Sequence, residues 1–330
     1  MTTFPDSAGS DFNLPPAGPS PAVILWRDQA GDDVAWVMNN NMPTSIAALP
    51  FVTPDWHVKA AVGFDRGVVG HAGDILWQND DGALALWQVA GTNLNAINAL
   101  PNPGPTWHVV GDDDFNGDNV RDVFFQNDNG AVAMWTIASA ATGTVLGMWA
   151  GIQNPGPTWH VVGTGDTDGD GNAGILWQND NGALALWEAP AFLGGPGGPP
   201  AFQFNTVAGL PTVDPSWHVK GMADLNNDSR ADIVFQNDNG AVAVWEMGGA
   251  DGTTINAMNL VNLNPGPAWH IVALRDMDFD GHADILFQND NGAAAVWEGY
   301  QSLGGGMATF TTELPITPNV NPNGHVWDLL

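Results

Sequence analysis

The chain predicts an all-β fold, a six-bladed β-propeller of four-stranded blades, on three observations. A phrase of about 52 residues repeats, each copy parses into short strands, and no stretch keeps a 3.6-residue apolar period. Trp-His pairs fall at 56/57, 107/108, 159/160, 217/218 and 269/270, spaced 51, 52, 58 and 52 residues apart. Between them recurs the phrase that reads Ile75-Leu76-Trp77-Gln78-Asn79-Asp80-Asp81-Gly82-Ala83-Leu84-Ala85-Leu86-Trp87 in its first full copy. It returns at 123–135, 175–187, 233–245 and 285–297, and more weakly at 24–36.

Each unit divides the same way. Trp107-His108-Val109-Val110 opens one as a first strand, and an Asp-rich loop leads to Val123-Phe124-Phe125-Gln126. An Asn-Asp-Asn-Gly turn then reverses the chain into Ala131-Val132-Ala133-Met134-Trp135, since Gly takes the positive φ such hairpins need. A looser fourth strand near 143–149 precedes Asn154-Pro155-Gly156-Pro157 and the next unit. With 41 Gly and 24 Pro, long helices are excluded.

The repeat phrase occurs six times, but the Trp-His strand precedes only five of its copies. The chain starts inside a unit at Val23-Ile24-Leu25-Trp26 and ends on Gly324-His325-Val326-Trp327, a fragment resembling the missing first strand. The C-terminal strand is therefore expected to complete the N-terminal blade, removing an open sheet edge. Residues 22–330 form one propeller domain on this reading. Residues 1–21 are a poorly ordered lead-in, and 189–215, with its Gly194–Pro200 run, is an extended surface loop.

Composition narrows the function. The chain has 36 acidic residues against 7 basic ones, a formal charge of −29, and 32 of its acids are Asp. Such a balance argues against nucleic acid and against anionic membranes, both of which need clustered Lys and Arg. No apolar run is long enough to span a bilayer. The chain has no Cys, so disulfides, thiolate nucleophiles and Cys-ligated metals are excluded. No N-terminal signal peptide is visible; export would need another route, or the chain is an excised domain.

Asp favours turns, caps and hard-metal loops, and here it concentrates between the first and second strands. The copies read Asp114, Asn116, Asp118 and Asp122; Asp166, Asp168 and Asp170; Asp224, Asn226, Asp228 and Asp232; and Asp276, Asp278, Asp280 and Asp284. These are positions 1, 3, 5 and 9 of one loop, with position 7 (Val120, Asn172, Arg230, His282) offering its main-chain carbonyl. Such oxygens can wrap one hard cation; Ca2+ suits the number and flexibility of the ligands better than Mg2+. An EF-hand fails, because position 12 is Phe125, Trp177, Phe235 or Phe287 instead of Glu and a strand follows. The competing reading is an Asp-rich turn whose carboxylates cap backbone N–H groups. Three to four Ca2+ sites are expected. The one at 166–174 should be weakest because position 9 is Gly174, and the interval 64–71 has lost the pattern.

Phrases such as Gly111-Asp112-Asp113-Asp114-Phe115-Asn116-Gly117-Asp118 followed by Asp122-Val123-Phe124-Phe125 resemble FG-GAP/VCBS repeats. These are the calcium-loop propeller blades of integrin α-chain heads, fungal and bacterial lectins and many secreted bacterial proteins. The resemblance covers about residues 22–330 and implies the propeller fold and calcium. It departs in blade number, since the family usually builds seven.

Five of the eight His residues sit in the Trp-His pairs, which marks them as structural, with imidazoles expected to bond backbone between blades. Fifteen of the sixteen Trp follow the repeat or its closing fragment and are assigned to packing between blades; Trp149 stands apart. The Gln-Asn-Asp-Asn-Gly turns are hairpin turns that could also bind hydroxyl-rich ligands. Three of the four Glu (188, 246, 298) are equivalent, and only Glu313 is alone. No phosphate-cradling loop, Gly-x-Ser-x-Gly or zinc spacing occurs. The resulting expectation is a non-catalytic, calcium-stabilised, lectin-like glycan-binding module acting outside the cell, with no assigned ligand residues. A protein-binding adhesion surface, or a polysaccharide lyase or glycosidase on the same frame, are the alternatives.

Overall fold

In a computed structural model, residues 23–28, 33–39, 42–61, 74–90, 93–139, 143–150, 152–188, 204–206, 209–278, 280–316 and 327–329 are described. All regular structure among them is β. Within each unit, neighbouring strands are consecutive in the chain and antiparallel.

The first unit comprises β1 (Val23–Asp28), β2 (Asp33–Asn39) and β3 (Met42–Ala48). The second comprises β4 (Trp56–Ala61), β5 (Ile75–Asn79), β6 (Leu84–Ala90) and β7 (Asn93–Leu100). The third holds β8 (Trp107–Asp113), β9 (Asp122–Asn127), β10 (Val132–Ser139) and β11 (Thr144–Ala150). The fourth holds β12 (Trp159–Gly165), β13 (Gly174–Asn179), β14 (Leu184–Glu188) and the two-residue β15 (Asn205–Thr206). The fifth holds β16 (Trp217–Ala223), β17 (Asp232–Asn237), β18 (Val242–Gly248) and β19 (Thr254–Val261). The sixth holds β20 (Trp269–Arg275), β21 (Asp284–Asn289), β22 (Ala294–Gly304) and β23 (Met307–Ile316). Those two share one eight-stranded sheet, ordered β16-β17-β18-β19-β23-β22-β21-β20. Their junction is a short parallel pairing, Leu260 with Met307 and Val261 with Ala308. β24 (Trp327–Leu329) pairs antiparallel with β1, so the C-terminal strand does complete the N-terminal sheet. The expected lead-in, the degenerate loop at 64–71, Gly194–Pro200 and His325 lie outside the described residues.

Alternation along the second strand of each unit sends side chains to both faces of its sheet, and six apolar cores result. Leu25 and Val37 pack with Ile75 and Trp77, and Leu76 and Leu86 pack with Val123 and Phe125. Phe124 and Met134 meet Ile175 and Trp177, while Leu176 and Leu186 meet Ile233 and Phe235. Val234 and Val244 meet Ile285 and Phe287. The sixth core returns to the start, with Leu286 and Val296 against Trp26 and Trp36. Every unit is thus cored on both sides by its neighbours in a closed cycle. The first strands β4, β8, β12, β16 and β20 touch in chain order.

Two repeated details bring the units together. Each of those first strands carries a register shift after its third residue, as between Val109 and Gly111. The turn glycine Gly130 (φ 84°) lies so close to the Gly156 backbone that a Cβ would collide with it, and Gly240 is placed likewise against Gly266.

Candidate metal loops

Each Asp loop runs from a first strand to a second, and its tightness comes from alternating left-handed residues. Positions 4 and 6 take positive φ at Gly117 and Asn119, Gly169 and Gly171, and Asn227 and Ser229. Asn119, Asn227 and Ser229 are the non-glycine residues among those described that do so. Each such residue costs on the order of 1 kcal/mol, so the loop must be held from within.

The position 1 carboxylate does the holding. Asp114 Oδ1 accepts the N–H groups of Asn116, Gly117 and Asp118, and its Oδ2 accepts that of Asn119 at 2.7 Å. Asp224 repeats the pattern with Asn226, Asn227, Asp228 and Ser229. Asp166 takes Gly169 and Gly171. Positions 3 and 5 each accept the N–H two residues on, as Asp168 does from Asp170 and Asp280 from His282. Backbone capping therefore leaves room for metal ligation, since each side chain at positions 3 and 5 has lone pairs to spare.

Position 9 is buried and ties the loop to its sheet. Asp122 Oδ1 accepts Ile137 N–H at 3.0 Å, and Asp232 accepts both Met247 and Leu225 N–H. Asp284 accepts Met277 N–H through Oδ2, while its buried Oδ1 has no hydrogen-bond partner among the described residues.

Charge collects where these groups meet. Asp166, Asp168 and Asp170 bring carboxylate oxygens within 4.8 Å of one another, as do Asp276, Asp278 and Asp284. The other two loops have Asn116 and Asn226 at position 3, an amide oxygen in place of a carboxylate. Burial pushes Asp284 up to about 8, aided by Asp278, Glu298 and Asp276. Burial also raises Asp166 to about 6 and lifts Asp122 and Asp232 well above the usual carboxylate range. Crowded, desolvated carboxylates, with Asp122 Oδ2 and Asp284 Oδ1 buried and lacking a partner among the described residues, fit a hard divalent cation, whose ligands are carboxylate, amide and carbonyl oxygens. Calcium, the ion implied by the resemblance, would draw on Asp276, Asp278 and Asp284 there. It would neutralise charge that burial otherwise forces to protonate.

The loops are also joined to one another. Ala173 N–H donates to Asp114 O, Ala231 to Asp166 O and Ala283 to Asp224 O, at 2.9, 2.6 and 2.8 Å. Position 7, assigned only through its carbonyl, uses its side chain as a bridge. The Asn172 amide lies against Gly117, the Arg230 guanidinium against Gly169, and His282 Nδ1 is 3.0 Å from Leu225 O.

Two features were not foreseen. The repeated Gln clamps adjacent units: Gln78 Nε2 donates to Trp107 O and its Oε1 accepts Val109 N–H. Gln236 does the same with Trp269 and Ile271, and Gln126 donates to Trp159 O. Second, Arg121 is buried against Asp112 at 2.8 Å, where the other loops carry Ala173, Ala231 and Ala283. The expected histidine contacts are corrected. His57, His108, His160, His218 and His270 each bond the turn Asp of their own unit (80, 128, 180, 238, 290) at 2.7–2.9 Å. The Gln, one residue before the turn, has taken the inter-unit role instead.

Comparison with known proteins now bears on these loops. No curated protein matches the chain in sequence. A structure described as the crystal structure of a mitotic checkpoint complex aligns with a TM-score of 0.45 at 11% identity, covering 96% of this chain and 80% of that one. Residues 224–287 match the FG-GAP-like repeat model, a segment that starts on position 1 of one Asp loop and contains the next loop whole. That stretch, from Asp224 to Phe287, is similar to an FG-GAP-like repeat.

Proposed function

We propose that the six units form a six-bladed, calcium-stabilised β-propeller that works outside the cell as a non-catalytic, glycan-binding module. The cycle of six cores supports the propeller, and the buried carboxylates of the Asp loops support the calcium. Sites of this kind bind at about 10⁻⁴–10⁻³ M in extracellular modules, where millimolar calcium would fill them.

The observation that carries the binding reading is a cleft of about 400 Å³ between the sixth unit and the segment 263–265 that leads into it. Its wall includes Trp269, half-buried, beside Asn264 and the exposed Glu313. An indole face stacks on the apolar face of a pyranose ring, and a carboxylate accepts its hydroxyls. Glu313 is the acid that breaks the repeat, so this cleft differs from its equivalents. The repeated Trp-His strands would present equivalent weak sites on the other units, and several weak sites together give avidity.

A glycan array read with calcium and with EDTA tests this, with Trp269→Ala and Glu313→Gln as controls. Sugar-specific signals that fall at least tenfold in either variant are expected. A blank array, or signals indifferent to both substitutions, would reject the glycan reading.

A further inference from the structure

The 166 loop lacks the position 9 carboxylate, yet a carboxylate stands in its place. At Gly174 an added Cβ would lie 2.6 Å from Glu188 Oε2 and 2.9 Å from Oε1. Glu188, the last residue of β14, therefore fills the volume into which the Asp122, Asp232 and Asp284 side chains grow in the sister loops. It is only 6% exposed. Oε1 accepts the Thr167 hydroxyl from within the loop. Gly252, in the β18–β19 turn, closes the same space, for a Cβ there would sit 2.7 Å from Glu188 Oε1. Asp166, Asp168 and Asp170 cluster in the same loop, near enough to add like charge at Glu188. The nearby Arg230 guanidinium, against Gly169, supplies one positive charge to these four carboxylates.

We propose that Glu188 is the missing ligand of the 166 loop, supplied from the third strand in place of position 9. The loop then keeps its full set of carboxylates and binds calcium as well as its sisters, contrary to its expected weakness. The unit before it shows the alternative arrangement: Asp122 fills position 9, and the residue equivalent to Glu188 is Thr136. The fifth and sixth units keep their position 9 Asp (Asp232, Asp284) beside the equivalent Glu246 and Glu298. Glu246 there turns to accept from Asn259 and Tyr300, whereas Gly174 leaves room for Glu188 to enter the loop.

This inference rests on the calcium reading of the loops, and calcium titration of the full chain by calorimetry separates the two. The wild type is expected to bind calcium, and Glu188→Gln, which keeps shape and the Thr167 contact, to lose one ion or weaken one site at least tenfold. The swap Gly174→Asp with Glu188→Thr, which copies Asp122 and Thr136, is expected to restore it. Unchanged stoichiometry and affinity in Glu188→Gln, or a folded swap variant that does not regain the ion, would overturn the role of Glu188 alone. A wild type that binds no calcium would overturn the reading beneath it as well.

Discussion

Asp284 shows what the loops demand of a single residue. Its carboxyl is raised to about 8 by burial, with like charges adding to the effect. A carboxyl raised in the folded state stabilises the fold below its unfolded pKa of about 4 and loses that contribution as pH climbs through the folded value. Glu188, also raised to about 8 by burial, acts in the same sense. In EDTA, the melting temperature is therefore expected to fall between pH 5 and pH 8.5. Calcium replaces the proton, so excess calcium should flatten that slope, as scanning fluorimetry can measure. Identical slopes with and without calcium would contradict the assignment. Asp284→Asn should raise stability in EDTA at pH 8 and weaken one calcium site. A different residue, Gln126, marks what the sequence hid: its place beside a turn suggested a turn role, and only the fold brings Trp159 O within reach. Gln126→Ala should cost about 1–3 kcal/mol in urea unfolding, because it strands a buried carbonyl. A loss below 0.5 kcal/mol would deny the clamp.

Among elements, the hairpins were the most legible, because Asn-Asp-Asn-Gly states its own conformation and the Trp/Phe strands alternate around it. The outer strands were the least legible. β15 has two residues, while β22 and β23 have 11 and 10, and β23 extends to pair with β19. No local pattern announces that extension; it exists because the neighbouring outer edge accepts it, through Leu260 N–H to Gly306 O and Asn262 N–H to Ala308 O. The loops' Asp pattern was legible, but their linkage was not, since Ala231 and Asp166 meet only across units. That linkage has a consequence for binding. Ordering one loop fixes the carbonyl that the next loop's N–H meets, so occupied sites should favour one another. Calcium titrations should give a Hill coefficient above 1. Independent sites, with a coefficient of 1, would show that the inter-loop bonds carry no coupling.

For the whole molecule, closure is the decisive property. The weak sixth copy at the N-terminus and the C-terminal fragment together implied it, and β24 on β1 supplies it. Removing residues 327–330 exposes the β1 edge and should lower the melting temperature and promote self-association, read by light scattering. A truncated chain that stays monomeric with an unchanged melt would show that the last strand is dispensable. The net charge of −29 also takes on structure at this scale. Part of it belongs to four loops that sit along one end of the strands, and their mutual repulsion opposes the fold unless protons or cations intervene. The most direct test of that account is the thermal melt of the full chain at pH 8 in 5 mM calcium and in EDTA. The account predicts a melting temperature higher in calcium by several degrees or more, with magnesium less effective. The same melting temperature in both would contradict it.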